Sequence, residues 1–414
     1  MNDKKWYQRI GPGLITACVV IGPGSIMTSS NVGATYGYSL SWIVLIAVVF
    51  MLTYTVLGAR LGVVAQESAG SLITQRAGKW LAILIGLSIF FISAAFQFGN
   101  NLGVHSAFKV YLGDQPFADY VIVFFNILSL LFLFAFKNLY RALEAMMMVF
   151  VGLMLSAFLL NLIAAKPDLV EWGKGFVGIG FPEGKELDLS VVGLIGTTFV
   201  IGAAYFQSYL VQQKGWKLGD LKSGMLDARI SALIMMTITL MIMTTASSQL
   251  RGQKLDGIEK VSNQLEPLFG GGGQLIFCIG VFCAAYSSFL INSMVGGFIL
   301  SDGLGWGSKP DERGPKMLTA CVLLIGMIVA MIAIQLKTKP VVAIVSAQAV
   351  TVLAAPLMAG ALWWLSNRKD IMGEHRPGVL LNVLAGLGFG ILLVIAYHTA
   401  TAKVLPKIKE ALAG

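Results

Sequence analysis

The amino-acid sequence predicts an all-α integral membrane protein, and three observations carry that prediction. Of its 414 residues, 56% are hydrophobic and only 12% are charged, whereas soluble domains carry roughly 45–50% apolar and about 25% charged residues. The apolar residues form long continuous runs, such as 43–58 and 121–136. Crossing ~30 Å of hydrocarbon takes ~20 such residues as a helix. A closed barrel would instead show alternating segments of ~10 residues. Finally, two of the apolar segments are interrupted near their middle by small residues.

Eleven spans are expected, with cores near 10–35, 41–65, 80–108, 119–136, 142–165, 189–212, 227–248, 273–300, 316–336, 340–365 and 378–401. The last breaks are sharp, at 311–316, 337–340 and 368–378, where charges, Pro and Gly cluster. The net charge of +9 sits between apolar runs, so it reads as topology charge facing lipid and not as a nucleic-acid surface. Lys and Arg are biased toward loops that share a side with the N-terminus, among them Lys4, Lys5, Arg60, Arg76, Lys79, Lys214, Lys217, Arg368 and Lys369. By the positive-inside rule the N-terminus is expected in the cytoplasm. Eleven spans then put the C-terminus outside, in a multi-pass protein of the cell's inner (plasma) membrane. The bilayer is its first partner. No leader-type cleavage pattern follows 1–9. Cys18, Cys278, Cys283 and Cys321 all lie in apolar segments and are expected as small buried hydrophobes.

The first segment contains Gly22-Pro23-Gly24-Ser25 and then Thr28. Proline lacks an amide donor and glycine permits non-helical dihedrals, so the helix is expected to break here. A break at membrane depth is tolerated only where the backbone is buried in protein or lines a cavity. The sixth segment places Gly196, Thr197, Thr198, Val200 and Gly202 at mid-span. Its signal is weaker, since it has no proline. Interruptions in the first and sixth segments suggest a five-plus-five inverted repeat with a substrate site near the midplane. The expected organisation is a first repeat over 1–165, a connector over 166–188, a second repeat over 189–366, and a final helix with its tail over 367–414.

Several stretches in order resemble the natural resistance-associated macrophage protein (NRAMP) family of divalent-metal transporters. They are Gly11-Pro12-Gly13, Ala59-Arg60-Leu61-Gly62-Val63-Val64, the sixth segment from Gly193 to Gln212, Ala284-Ala285-Tyr286-Ser287-Ser288, and Ser346-Ala347-Gln348. The resemblance implies the leucine-transporter-type fold, with helices 1 and 6 broken, and alternating access around a central site. It also exposes departures. The family's first-helix motif is Asp-Pro-Gly-Asn, so the two side-chain metal ligands there are replaced by Gly22 and Ser25. The methionine ligand of its sixth helix aligns with Val200. A histidine linked to proton movement aligns with Gln207.

A divalent cation stripped of water needs anionic oxygen ligands, or imidazole and sulfur for a transition metal. No metal ligand is therefore assigned. The free amides of a broken first helix, with its dipole, favour an anionic group. The leading expectation is a secondary-active or facilitative transporter of a small organic solute, a carboxylate or polar amide. The candidate binding residues are Gly22, Gly24, Ser25, Thr28, Thr197, Thr198, Gln207 and Gln348, with Gln97 and Asn101 added from segment three, where Gln97, Asn100 and Asn101 would line the cavity if they face inward and otherwise bond between helices. The alternatives are a divalent-cation transporter of Mn²⁺/Mg²⁺ type with a remodelled site, and a non-transporting sensor or channel. Na⁺ or H⁺ is the candidate coupling ion. Ser287, Ser288 and Asn292 are expected in helix contact, and His105 and His398 at the interface. No phosphate-cradling loop or paired carboxylates support an enzyme, no cofactor is called for, and oligomeric state is not legible.

Overall fold

A computed structural model describes residues 11–401 apart from 114, 116, 137, 181–187, 254, 256–270 and 337–350. Its elements are helical. The first expected segment is two helices, α1 (Pro12–Val20) and α2 (Pro23–Tyr36), bent by 55° at Ile21 and Gly22. Then come α3 (Ser41–Ala65), the short α4 (Ala69–Ala77), α5 (Lys79–Leu112), α6 (Val121–Ala135), α7 (Leu139–Ala165) and the connector helix α8 (Leu169–Val177). The sixth segment is again a pair, α9 (Leu189–Thr198) and α10 (Ile201–Gln213). The chain continues through α11 (Leu221–Gln249), α12 (Gly271–Leu304), α13 (Arg313–Gln335), α14 (Ala355–Asn367), α15 (Lys369–Met372) and α16 (Val379–Thr399).

Among the described residues, nine helices are long and apolar enough to cross a membrane, or ten spans with the bent pair. The tenth expected segment, 340–365, is described only from Thr351 onward and contributes α14. The connector expected over 166–188 contains α8, capped by Asp168, whose carboxylate accepts from Val170 N at 2.9 Å and Glu171 N at 3.1 Å.

The packing has an inside-out look that only lipid explains. Phe91, Leu131, Val149 and Val394 are each at least 60% exposed, more apolar surface than a water-facing monomer shows. The buried interior is correspondingly rich in hydroxyls and amides. Of the four cysteines, Cys321 is exposed and the others are buried; on α13 it faces outward because that helix lies at the rim of the bundle.

Helices approach closely where small residues allow it. Gly58 and Gly62, four apart on one face of α3, meet the backbone carbonyls of Ala204 and Ser208 on α10. Any side chain at either glycine would strike those oxygens. This small-xxx-small contact replaces the hydrophobic driving force that helices in lipid lack. The two broken segments also run side by side, α1 on α10 and α2 on α9.

Gly62→Leu should therefore lower stability by about 1–3 kcal/mol or more through overpacking. The check is thermal unfolding of purified protein in detergent. An unchanged midpoint would show that α3 and α10 do not depend on this contact.

Candidate functional site

The break in the first segment follows from one missing donor. In a continuous helix the amide of residue 23 would bond to the carbonyl of Val19, but Pro23 has no N–H. Two side chains of α12 take its place. Ser288 Oγ and Asn292 Nδ2 each reach Val19 O at 3.4 Å, and Asn292 Nδ2 donates to Ser288 Oγ at 2.6 Å. The neighbouring carbonyl of Val20 accepts from Ser25 Oγ. Beyond the break the helix resumes, with Ile26 N donating to Gly22 O at 3.1 Å. The interruption is thus stitched by α12 and by the first turn of α2. This is helix contact for Ser288 and Asn292, and it is placed at the break.

Gly22 sits in a crowded polar pocket. A Cβ at that position would lie 2.9 Å from Ser288 Oγ and 3.2 Å from Asn100 Oδ1. The space that a carboxylate side chain would need is filled from α12 and α5. The break is surrounded by neutral oxygens: Val19 O, Ser288 Oγ and Asn100 Oδ1.

The second break lies at Phe199 and Val200, whose backbone leaves the helical region, with ψ of 66° and 88°. The amides of Ala203 and Ala204 restart the helix on Val200 O, at 3.0 and 3.3 Å. Thr197 Oγ1 lies 3.2 Å from Thr28 Oγ1, so α9 and α2 bring these two candidate residues together. Thr28 also donates to Gly24 O at 2.8 Å, and Thr197 to Leu194 O at 3.2 Å. Thr198 Oγ1 is buried without a hydrogen-bond partner. Beside the break, a cavity of about 20 Å³ lined by Phe96, Val200, Thr351 and Met358 has room for one water.

The other candidates are placed elsewhere. Gln207 lies on α10, nearer the membrane face that carries Gly11, called here the N-terminal face. Its Oε1 accepts from Thr16 Oγ1 at 2.5 Å, and its Nε2 donates to Asp227 Oδ2 at 3.4 Å. Asn101 turns toward α6, accepting from Asn126 Nδ2 at 2.7 Å. Gln97 packs on Gly326 of α13, and its Oε1 accepts from Asn100 Nδ2 at 3.3 Å. Of the polar residues of α5, it is Asn100 that faces the break. Residues 100 and 101 are neighbours in sequence and so point about 100° apart around the helix, which means that both cannot face the break. Gln348 lies outside the described residues. His105 is only 5% exposed, with Nε2 2.8 Å from Asp119 Oδ1, so it is packed more deeply than an interfacial position implies.

The group that sequence reasoning missed is Asp227 on α11, fully buried. Its carboxylate accepts from Gly11 N at 2.9 Å and Gly13 N at 2.6 Å. A buried anion is tolerated where hydrogen bonds and opposite charge compensate it. Here it caps the start of α1, whose dipole presents positive charge there. Nearby, Lys214 pairs with Glu144, and Tyr140 lies under that pair, with Lys214 Nζ 6.0 Å from its ring. Asp302 on α12 plays the same part for α4. It accepts from Ser68 Oγ at 2.7 Å, Gly70 N at 2.8 Å and Tyr209 OH at 2.5 Å. Two buried carboxylates therefore hold α10 from two sides, through Gln207 and Tyr209. Their signal in the sequence was weak, since Asp227 opens the expected core 227–248 and Asp302 lies just past the end of 273–300.

Among the described residues, no group of three or more His, Cys, Asp and Glu side chains could hold a metal ion. The profile of the family described as natural resistance-associated macrophage protein-like matches residues 13–401. The chain belongs to the Nramp family. Divalent metal cation transporter MntH of Deinococcus radiodurans is 24% identical over 375 residues, covering 88% of this chain and 83% of the relative. The protein of the same name from Verminephrobacter eiseniae is 24% identical over 393 residues, covering 91% and 85%. Among solved structures, the Eremococcus coleocola manganese transporter bound to an aromatic bis-isothiourea compound superposes with a TM-score of 0.82 at 17% identity, covering 97% of this chain and 89% of that one. MhsT in complex with L-phenylalanine gives 0.60 at 13% identity, covering 95% and 99%. The leucine-transporter-type fold expected from the sequence is the fold of this Nramp chain.

Two outcomes follow for the site. Gly22→Asp alone should not confer tight Mn²⁺ binding, because the new side chain meets Ser288 and Asn100 and finds no Asn or Met partner. Isothermal titration reads this, and family-like affinity in the single variant would refute it. Asp227→Asn should cost about 1–3 kcal/mol, since Gly11 and Gly13 bond to different oxygens of the carboxylate and the substitution turns one of those oxygens into an NH2 that cannot accept. Chemical denaturation in detergent checks it against Asp370→Asn as a surface control.

Proposed function

We propose that this Nramp chain is a secondary-active or facilitative transporter that exposes the region between its two breaks alternately to either side, and that its cargo is a hard divalent cation carried with much of its water shell. The cation reading is supported by the family and by relatives named for divalent metal cations and manganese. The organic solute that the sequence put first loses ground to that evidence.

Retained hydration is argued from the chain's own residues. The observation that carries it is the uncharged, oxygen-rich surroundings of the first break, with Gly22 packed against Ser288 and Asn100. Neutral oxygens accept hydrogen bonds from water on a cation but replace that water poorly. Mg²⁺ gives up its water reluctantly and is commonly bound with several waters in place. The sulfur that favours a transition metal is replaced at the aligned position by Val200, and the histidine linked to proton movement by Gln207.

A small carboxylate or amide stands as the second reading, favoured by one specific feature: the first turn of α2 offers its amides to the break with no carboxylate beside them. In either case the N-terminal face is taken as cytoplasmic from its excess of Lys and Arg, and the two five-helix repeats, 1–165 and 189–366, are taken as the parts that rock. Asp227, one hydrogen bond from Gln207, gives an H⁺-coupled cycle a titratable group; Na⁺ held by carbonyls and hydroxyls is the alternative.

Proteoliposomes containing the purified protein should take up Mg²⁺ saturably, read with an entrapped fluorescent indicator, and Mn²⁺ should compete weakly. Uptake of neither ion, together with saturable uptake of a labelled small carboxylate or amide, would transfer the cargo to the second reading. Tight, fast Mn²⁺ uptake would show that groups other than those at the break bind the metal directly.

A further inference from the structure

A groove of about 420 Å³ opens to the lipid between the start of α5 and the helices α14 and α16, lined almost wholly by carbon from Leu81, Pro356, Gly360, Trp364, Phe389 and Leu393. We propose that it holds one acyl chain of an anionic phospholipid, whose headgroup rests on a basic cluster at the N-terminal-face end of the groove.

The dimensions select a lipid chain. Pro356 to Trp364 is eight residues, ~12 Å of helix. That fits within the ~15 Å of hydrocarbon in one leaflet, half of the ~30 Å core. A partner helix would need an apolar face running through both leaflets. The groove is short, and it ends where the charges begin.

Those charges select an anionic headgroup. Arg368 lies over the Trp364 ring, 5.1 Å from its centroid, so the wall of the groove carries a guanidinium directly. Arg368 Nε donates to Asp370 Oδ1 at 2.9 Å, and Arg76 Nε to Asp370 Oδ2 at 2.7 Å. The two arginines hold that carboxyl down at about 2, so Asp370 stays ionised and fixes both guanidinium groups in place. Lys369 and Lys79 are exposed beside them, the latter two residues before Leu81. Two guanidinium groups thus bind one carboxylate, and the exposed Lys79 and Lys369 follow them closely in sequence. Guanidinium groups fit phosphate oxygens in a forked geometry, and basic clusters at a membrane surface attract anionic lipids. Trp80 and Trp364, next to Leu81 and on the groove wall, are 67% and 39% exposed, and exposed tryptophans near span ends favour the headgroup level.

The test is native mass spectrometry of the full chain in detergent, equilibrated with equimolar dioleoyl-phosphatidylglycerol and dioleoyl-phosphatidylcholine. The wild type should retain the phosphatidylglycerol in preference by on the order of tenfold, the scale set by a few basic side chains at a surface. The double variant Arg368→Gln/Lys369→Gln should bring that preference close to unity. Leu393→Trp, which fills the groove without touching the charges, should remove one bound lipid. Equal retention of the two lipids by the wild type would overturn the proposal, as would a preference unchanged in both variants. Displacement of the bound lipid by soluble glycerophosphoglycerol at equal concentration would also overturn it, since the site would then hold a free anion and not a lipid chain.

Discussion

In hydrocarbon a backbone carbonyl without a donor has no water to turn to, and the carbonyl of Val19 is deprived of its donor by Pro23. Much of the site is arranged around that deficit. Ser288 and Asn292 answer it from α12, Ser25 answers for Val20, and the helix bends by 55° between them. Because the substitutes come from another helix, the break is a junction between distant parts of the chain. Its bonds to Val19 are long, at 3.4 Å, and tie α1 to α12, while Ser25 Oγ on Val20 O ties the two half-helices to each other.

The same economy governs the ends of the half-helices. Asp227 binds the first amides of α1, and Asp302 binds the amide of Gly70 at the start of α4. Each carboxylate also touches α10, one through Gln207 and one through Tyr209. Charges buried this deeply are costly unless hydrogen-bonded, and four of these bonds join the first half of the chain to the second. Separating α1 from Asp227 means exchanging the bonds of Gly11 and Gly13 for water.

Family membership and local chemistry pull in different directions, and their reconciliation is specific. The chain belongs to the Nramp family and has its fold. Around Gly22, however, Ser288 and Asn100 occupy the room an acid would need. The departure at Gly22 is thus built into three helices at once and is more than a change at one position. The proposed weaker contact through neutral oxygens rests on that packing.

What the sequence by itself determined was set by solvent and by covalent chemistry. Long apolar runs required helices because lipid offers no partner for the backbone, and Gly22-Pro23-Gly24 required a break because proline has no amide to give. The weaker interruption at Phe199 and Val200 was legible from small residues alone. Which polar side chains face the breaks was decided by tertiary structure. Gln97, Asn100 and Asn101 all looked like cavity residues, yet helix rotation sends Gln97 to α13 and Asn101 to α6 and leaves only Asn100 of the three beside Gly22. Thr28 meets Thr197 only because α2 and α9 run together. Asp227 stood in the sequence at the opening of an expected core, and nothing local revealed that two amides more than 200 positions earlier would hold it. Periodicity and composition report what a segment needs from its surroundings; only the packed structure decides which residues supply it.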